Sequence, residues 1–131
     1  VAERIIGIGL DLVEVARIGE SMEKFGDRFL KKIFCEAERE YACSHKFPAV
    51  HLAARFAAKE AVSKAFGTGI GRELGWLDIE VCRHPHGEPF LRFHGAGQEL
   101  AISRGVVRTL ISLTHTRGQA AASVVLIGRD G

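Results

Sequence analysis

Arg55-Phe56-Ala57-Ala58-Lys59-Glu60-Ala61-Val62-Ser63-Lys64-Ala65-Phe66-Gly67-Thr68-Gly69 sets an acid and several bases on an alanine-rich stretch that ends in a glycine turn. Alanine is the strongest helix former, so the stretch predicts a helix. Pro48 suits its first turn, and Gly67 lets the chain leave in a left-handed conformation. At about 100° per residue, Glu60, Ser63 and Lys64 project from neighbouring positions, so a carboxylate, a hydroxyl and an ammonium converge on one ligand. Arg55 and Lys59 form a second basic pair one turn earlier. Ala54, Ala57, Ala58, Ala61 and Ala65 let another backbone, or a flat ligand, approach closely. These residue types suit a metal and a phosphate.

The segment Ile5-Ile6-Gly7-Ile8-Gly9-Leu10-Asp11-Leu12-Val13-Glu14 has the apolar, branched character of a buried strand, yet holds an aspartate. A buried carboxylate without a partner costs several kcal/mol or shifts its pKa until it is neutral. Two partners satisfy it: a divalent cation, or a cationic side chain such as Arg17. The strand alone leaves the choice open.

Outward from these two segments, residues 4–13 read as a strand and 17–33 as one broken helix or two short ones. Residues 36–44 read as a short helix with Cys35 where a Ser, Thr or Asp cap is more usual, a loss of at most about 1 kcal/mol. Strands over 76–83 and 89–93 flank the turn at His84-Pro85-His86-Gly87-Glu88. A helix over 96–104 ends at Gly105, and strands over 107–116 and 120–127 pair across Arg117-Gly118-Gln119. The last hairpin puts Thr109, Ile111, Leu113 and His115 on one face, with His115 where the strand meets its turn. Strands at both ends and helices between them predict an α+β fold: a single domain over 1–131, with a mostly antiparallel sheet packed against a long central helix.

A chain of 131 residues with 47% hydrophobic content has material for one core and too little length for two. No apolar run reaches about 18 residues, and no leader precedes the first strand, so a cytoplasmic location away from membranes is expected. Cys35, Cys43 and Cys82 are odd in number and lack a CxxC spacing, which argues against a disulfide framework or a thiolate zinc site. A net charge of +2 is too small for bulk attraction to nucleic acid.

Charge is instead local. On a helical wheel, Arg17, Lys24, Arg28 and Lys31 fall within about 60° of one another, beside an apolar face of Ile18, Met22, Phe25, Phe29 and Ile33. Gly26 and Asp27 interrupt this helix, so the second half of the stripe is rotated. The bland account is a solvated charged face over a core-facing one. Interleaved Glu20, Glu23 and Asp27 argue against a surface that tracks nucleic-acid phosphates.

Four separated blocks carry a resemblance. Gly7-Ile8-Gly9-Leu10-Asp11 with Glu14-Val15-Ala16-Arg17-Ile18, then Phe56-Ala57-Ala58-Lys59-Glu60-Ala61-Val62-Ser63-Lys64-Ala65, then Gly67-Thr68-Gly69-Ile70, and Ile111-Ser112-Leu113-Thr114-His115-Thr116 resemble the holo-acyl-carrier-protein synthases. These are the short, stand-alone 4′-phosphopantetheinyl transferases. The resemblance spans nearly the whole chain in order. It implies the fold of that family and a Mg²⁺-dependent reaction supporting fatty acid biosynthesis. In that reaction the 4′-phosphopantetheine arm of coenzyme A passes to a serine of apo-acyl carrier protein, releasing adenosine 3′,5′-bisphosphate.

On the resemblance, Asp11 and Glu60 hold the metal, and Lys64 joins them as the third catalytic residue, beside the pyrophosphate. Arg55, Ser63, Lys64, Gly67, Thr68, Gly69, His115 and Thr116 contact the coenzyme, with the Gly87-Glu88-Pro89 turn bordering its adenine. For activation of the serine it leaves Glu60, a water on the cation and His115 as alternatives, the water preferred because a carboxylate committed to a cation is a poor proton acceptor. Carrier proteins are acidic, which suits Arg17, Lys24 and Arg28 with Phe25 or Phe29 as apolar anchors. The resemblance further implies a homotrimer with coenzyme sites between subunits.

Overall fold

In a computed structural model the chain is described over residues 2–129. Strand β1 (Glu3–Glu14) leads into α1 (Val15–Phe25), α2 (Asp27–Ile33), α3 (Glu36–Cys43) and the long α4 (Pro48–Phe66). A 3₁₀ turn over Trp76–Asp78 precedes the hairpin of β2 (Ile79–Arg83) and β3 (Pro89–Phe93). Helix α5 (Gly95–Ser103) and the hairpin of β4 (Val106–His115) and β5 (Gln119–Arg129) complete the chain. The α+β reading holds. The strands form two antiparallel sheets, one three-stranded in the order β1-β5-β4 and one two-stranded.

Helix α4 lies on the three-stranded sheet, and glycine sets how closely. A Cβ built on Gly9 would stand 1.8 Å from the Ala61 carbonyl oxygen, and one on Gly7 would stand 2.1 Å from that of Ala65. Ala53, Ala57, Ala58 and Ala61 on the helix are fully buried. Small residues on both elements therefore bring backbone against backbone, and Val13, Leu52, Val62, Val124 and Leu126 fill the space around the contact. That approach places Asp11, two residues beyond Gly9 on the same strand face, beside the last turns of α4.

Several expectations need correction. Strand β1 is buried on one face only. Its outward residues Ile8, Leu10 and Leu12 are more than 60% exposed, and Leu110 of β4 lies on the same side, since both Ile8 and Leu110 pair with Val125. Asp11 accordingly lies at the rim of the core and is not enclosed by it. Residues 76–78 form a 3₁₀ turn instead of opening β2, because Asp78 Oδ2 turns back to accept the Gly75 N–H at 2.7 Å.

The first helix begins at Val15, whose N–H is fixed by the Gly118 carbonyl of the distant hairpin turn. The break falls at Gly26, with φ 55° and ψ −134°, values open to a residue without a Cβ. The break turns Phe25 outward, 49% exposed, while Ile18 and Ile33 stay in the core.

Candidate active site

Asp11, Glu60 and Lys64 come together where β1 crosses α4. The Lys64 ammonium donates to Asp11 Oδ1 at 3.0 Å and to the Leu10 carbonyl at 3.0 Å. Of the two kinds of partner the strand left open for Asp11, the fold supplies a cationic side chain, and it is Lys64, one helical turn after Glu60, instead of Arg17. Glu60 is half-buried, and burial together with the Asp11 charge raises its carboxyl above the usual value, with Lys64 acting against them. Two carboxylates thus repel across a gap served by one exposed ammonium. Such a site gains from a hard cation.

The other residues of the α4 C-terminus are engaged within the chain. The Ser63 hydroxyl, almost fully buried, donates to the Glu60 carbonyl at 2.7 Å. The N–H groups of Gly67, Thr68 and Gly69 all turn back to the Ser63 carbonyl at 3.0 to 3.3 Å, closing the helix with Gly67 in the left-handed region at φ 79°. The Thr68 hydroxyl donates to the Gly69 carbonyl. Any donation from this turn to a ligand first requires one of these bonds to open.

Lys59 is not a ligand-facing base. It is fully buried, pairs with Glu38 at 2.8 Å, and donates to the Ile33 and Trp76 carbonyls. Glu38 in turn accepts the N–H groups of Cys35 and Val81, which is how the cysteine position opens α3 without a side-chain oxygen of its own. This buried pair ties α2, α3, α4 and the small sheet together.

Arg55, five residues before Glu60, points about 140° away around the helix. It forms a separate basic group. Its guanidinium stacks over the Tyr41 ring at 4.2 Å, Arg83 lies over the same ring at 5.1 Å, and Arg55 Nη1 donates to the His51 carbonyl. Arg55 Nε is buried and meets no acceptor among the described residues. Burial pulls the guanidinium pKa down, opposed by Tyr41 and Glu38 and assisted by Arg83.

His115 reaches this group through His51, whose ring lies 6.0 Å away, and the His51 ring in turn lies 4.1 Å from that of His45, tilted by 39°. Thr116 takes the hairpin turn, its Oγ1 accepting the Gln119 N–H at 3.1 Å. Phe90, next to the Gly87-Glu88-Pro89 turn, lines a hollow with Tyr41, Arg55 and Arg83. Tyr41, His45, His51 and Arg83 were missed from the sequence. Their only signal was the four-residue spacing of Tyr41 and His45, which is too common to single out.

The candidate residues therefore divide between two edges of one sheet. Asp11 on β1 and His115 on β4 face the same side, separated by β5 and staggered by two residues along it, hence by about 12 Å, with α4 against that face. Arg17, Lys24 and Arg28 are all exposed on α1 and α2.

Residues 7–125 match the family described as the 4′-phosphopantetheinyl transferase superfamily. The holo-[acyl-carrier-protein] synthase of Chlamydia trachomatis serovar D is 47% identical over 121 residues, covering 92% of this chain and 98% of the relative. That of Koribacter versatilis is 49% identical over 123 residues, covering 93% and 98%.

Among solved structures, the Bacillus anthracis holo-(acyl-carrier-protein) synthase in complex with CoA (3′,5′-ADP) superposes with a TM-score of 0.80 at 38% identity, covering 98% of this chain and 100% of the other. The Helicobacter pylori holo-[acyl-carrier-protein] synthase in complex with coenzyme A gives 0.81 at 34% identity, covering 91% and 98%. With matches over nearly its full length in sequence and in fold, the chain belongs to the holo-[acyl-carrier-protein] synthases of the 4′-phosphopantetheinyl transferase superfamily.

Proposed function

We propose that this chain transfers the 4′-phosphopantetheine group of coenzyme A to a serine of apo-acyl carrier protein, with Mg²⁺ held by Asp11 and Glu60 in a site completed by a neighbouring subunit. The activity supports fatty acid biosynthesis, and the cytoplasm is the compartment it fits; no helix among the described residues is long and apolar enough to cross a membrane. The observation that carries the reading is the convergence of Asp11, Glu60 and Lys64 at the β1 and α4 crossing, where Lys64 reaches Asp11 at 3.0 Å.

The donor set fits the metal. Mg²⁺ keeps several waters and is commonly held by one or two carboxylates plus substrate phosphates. Burial, and after it the Asp11 charge, raise the Glu60 carboxyl, and such an ion would offset both. When bound it neutralises charge on the pyrophosphate oxygens. Lys64, half exposed, supplies a mobile ammonium for the charge that develops on the departing adenosine 3′,5′-bisphosphate. Arg55, with its unsatisfied Nε, and His115 offer anchoring for a phosphate remote from the reacting bond. Remote anchoring of this kind holds attacker and leaving group in line.

An exposed surface supports the composite site. The outward face carrying Ile8, Leu10, Leu12 and Leu110 is apolar and exposed, which marks a surface for contact with other protein. Three copies sharing that face as a common core bring the β1 edge of one subunit to the β4 edge of the next. The Asp11, Glu60 and Lys64 group of one copy then meets the Arg55 and His115 group of another. Arg17, Lys24 and Arg28 leave a basic, exposed approach for an acidic carrier protein, with Phe25 standing out beside Lys24, whose ammonium lies 5.4 Å from the ring.

The test is direct. The protein is mixed with coenzyme A, Mg²⁺ and apo-acyl carrier protein, and the carrier is weighed. A gain of about 340 Da on its serine, the mass of the transferred group, is expected. Coenzyme A binding without any mass gain would leave a coenzyme-binding module and refute the enzyme.

A further inference from the structure

His45 and His51, beside Arg55, have no role in the proposed transfer. Tyr41, His45, His51 and His115 form a ladder of rings, with centroid distances of 4.5 Å from Tyr41 to His45, 4.1 Å from His45 to His51 and 6.0 Å from His51 to His115. The three histidines line one pocket, joined there by Lys46 and Arg117. The charged and titratable groups that face His51 come from every element around it. They are Tyr41 of α3, His45 and Lys46 of the following loop, Arg55 of its own helix, Arg83 of β2, and His115 with Arg117 at the end of β4.

All those groups but tyrosine are cationic or become so on protonation. The nearby carboxylates are already engaged: Glu38 holds Lys59, and Glu80 holds His94 at 2.7 Å. The pocket thus has an excess of positive charge and an unsatisfied, buried Arg55 Nε beside it. An anion is the missing partner.

The tautomer of His45 is fixed by its surroundings. Its Nδ1 lies 2.7 Å from the Tyr41 carbonyl, an acceptor, so Nδ1 carries the hydrogen in the neutral ring. Nε2 then has no hydrogen to donate until a second proton arrives. His51 is held neutral by burial, reinforced by His45, Arg55, His115 and Arg83, which together push its pKa below the ordinary value of 6.5. The two rings lie 4.1 Å apart, tilted by 39°; two imidazolium ions at that distance beside Arg55 would repel.

We propose that His45 and His51 are a proton-accepting extension of the Arg55 and His115 anion site: the adjoining pair takes up one proton from solvent when a phosphate dianion of the coenzyme docks there, so binding tightens as pH falls from about 8 to about 6.5. The proposal rests on the coenzyme-site reading above. The proton turns an imidazole nitrogen from acceptor into donor, and the incoming dianion removes the repulsion that kept it away. The sign follows from linkage, since the group binds its proton more tightly in the complex than in the free protein.

The probe is adenosine 3′,5′-bisphosphate, titrated calorimetrically at pH 7 in buffers of different ionisation enthalpy, which counts protons exchanged with solvent. A net uptake of about half to one proton is expected, with affinity rising about three- to tenfold between pH 8 and pH 6.5. The ligand's own titration has the opposite sign, because a site that prefers a dianion strips its last proton. His51→Phe keeps the ring contact and cannot titrate. Its uptake is expected to fall below half that of the wild type.

Ring-proton resonances of the wild-type histidines, followed against pH with and without the bisphosphate, give the same answer without a variant. Binding with no proton uptake, or uptake unchanged in both His51→Phe and His45→Gln, overturns the proposal. Loss of uptake in His115→Gln but in neither of those two assigns the proton to His115 and overturns it too. Absence of bisphosphate binding at every pH removes the coenzyme site itself, and the proposal with it.

Discussion

Gly9→Ala puts the central geometric claim to the test. The added Cβ would lie 1.8 Å from the Ala61 carbonyl oxygen, 2.7 Å from its carbon and 3.0 Å from the Ala65 nitrogen. Ordinary carbon–oxygen contact begins near 3.3 Å, so strand and helix must part by about 1.5 Å. The obstructing atoms are helix backbone and have no rotamer to change. Overpacking costs about 1 to 3 kcal/mol where side chains yield, so the upper end, about 3 kcal/mol, is expected here.

For a chain of 131 residues, at about 2.1 cal/mol/K of unfolding entropy per residue, that lowers Tm by about 10 °C. The same displacement carries Asp11 away from Glu60 and Lys64. A misplacement of about 1 Å at a reacting site can cost about 10²-fold, so transfer by the folded fraction is expected to fall at least that far. Gly71→Ala, with nothing within 4 Å of the new methyl, is the control. Thermal melts and a mass assay at a temperature where both variants are folded read the two effects separately. A Gly9→Ala protein that melts within about 2 °C of the wild type and keeps half its transfer rate would refute the claim that this contact sets the site.

Further outcomes follow from other contacts. Lys59→Met removes one member of a fully buried ion pair and leaves Glu38 uncompensated, a loss of about 3 to 5 kcal/mol in urea unfolding that Glu38→Gln in the same chain partly restores; an unchanged midpoint would return Lys59 to the list of ligand-facing bases. Glu60 holds its proton more tightly in the folded chain than in the unfolded one, so its stabilising contribution is full below about pH 4.5 and is lost as pH rises through its folded value. With a chelator present, Glu60→Gln should therefore melt above the wild type at pH 7 and converge with it near pH 4, while transfer drops by about 10²-fold or more; a lower melting temperature at pH 7 contradicts the repulsion with Asp11. Leu10→Glu charges the exposed sheet face and should give a monomer in sedimentation with native circular dichroism and little transfer; an assembly of unchanged mass argues against that face as the interface. Arg17→Ala should raise KM for the carrier protein about three- to tenfold with that for coenzyme A unchanged, and the reverse split would move the carrier surface elsewhere.

The fold was legible where local chemistry is strict. Proline at the start of α4, alanine along it and glycine at its end agree on one helix. Alternation on the C-terminal hairpin fixed which face carries His115. The sequence did not disclose that Lys59 and Glu38 meet, since a lysine at helical spacing beside a catalytic-looking glutamate reads the same whether it points at a ligand or into the core. Nor did it disclose the histidine ladder. His45, His51 and His115 lie on a loop, a helix and a strand, and no spacing rule connects them.

What the residues determined by themselves was the set of elements, because helix propensity, strand alternation and turn chemistry act over a few neighbours; the grouping of Asp11 with Glu60 and Lys64 came from the family resemblance. Which charges face one another was decided only by tertiary packing. Gly7 and Gly9 admit α4 to backbone contact, and that approach delivers Asp11 to Lys64 while the rotation of the helix sends Arg55 to the opposite edge. Charge partners are chosen by distance through space, and a linear pattern carries no such distance.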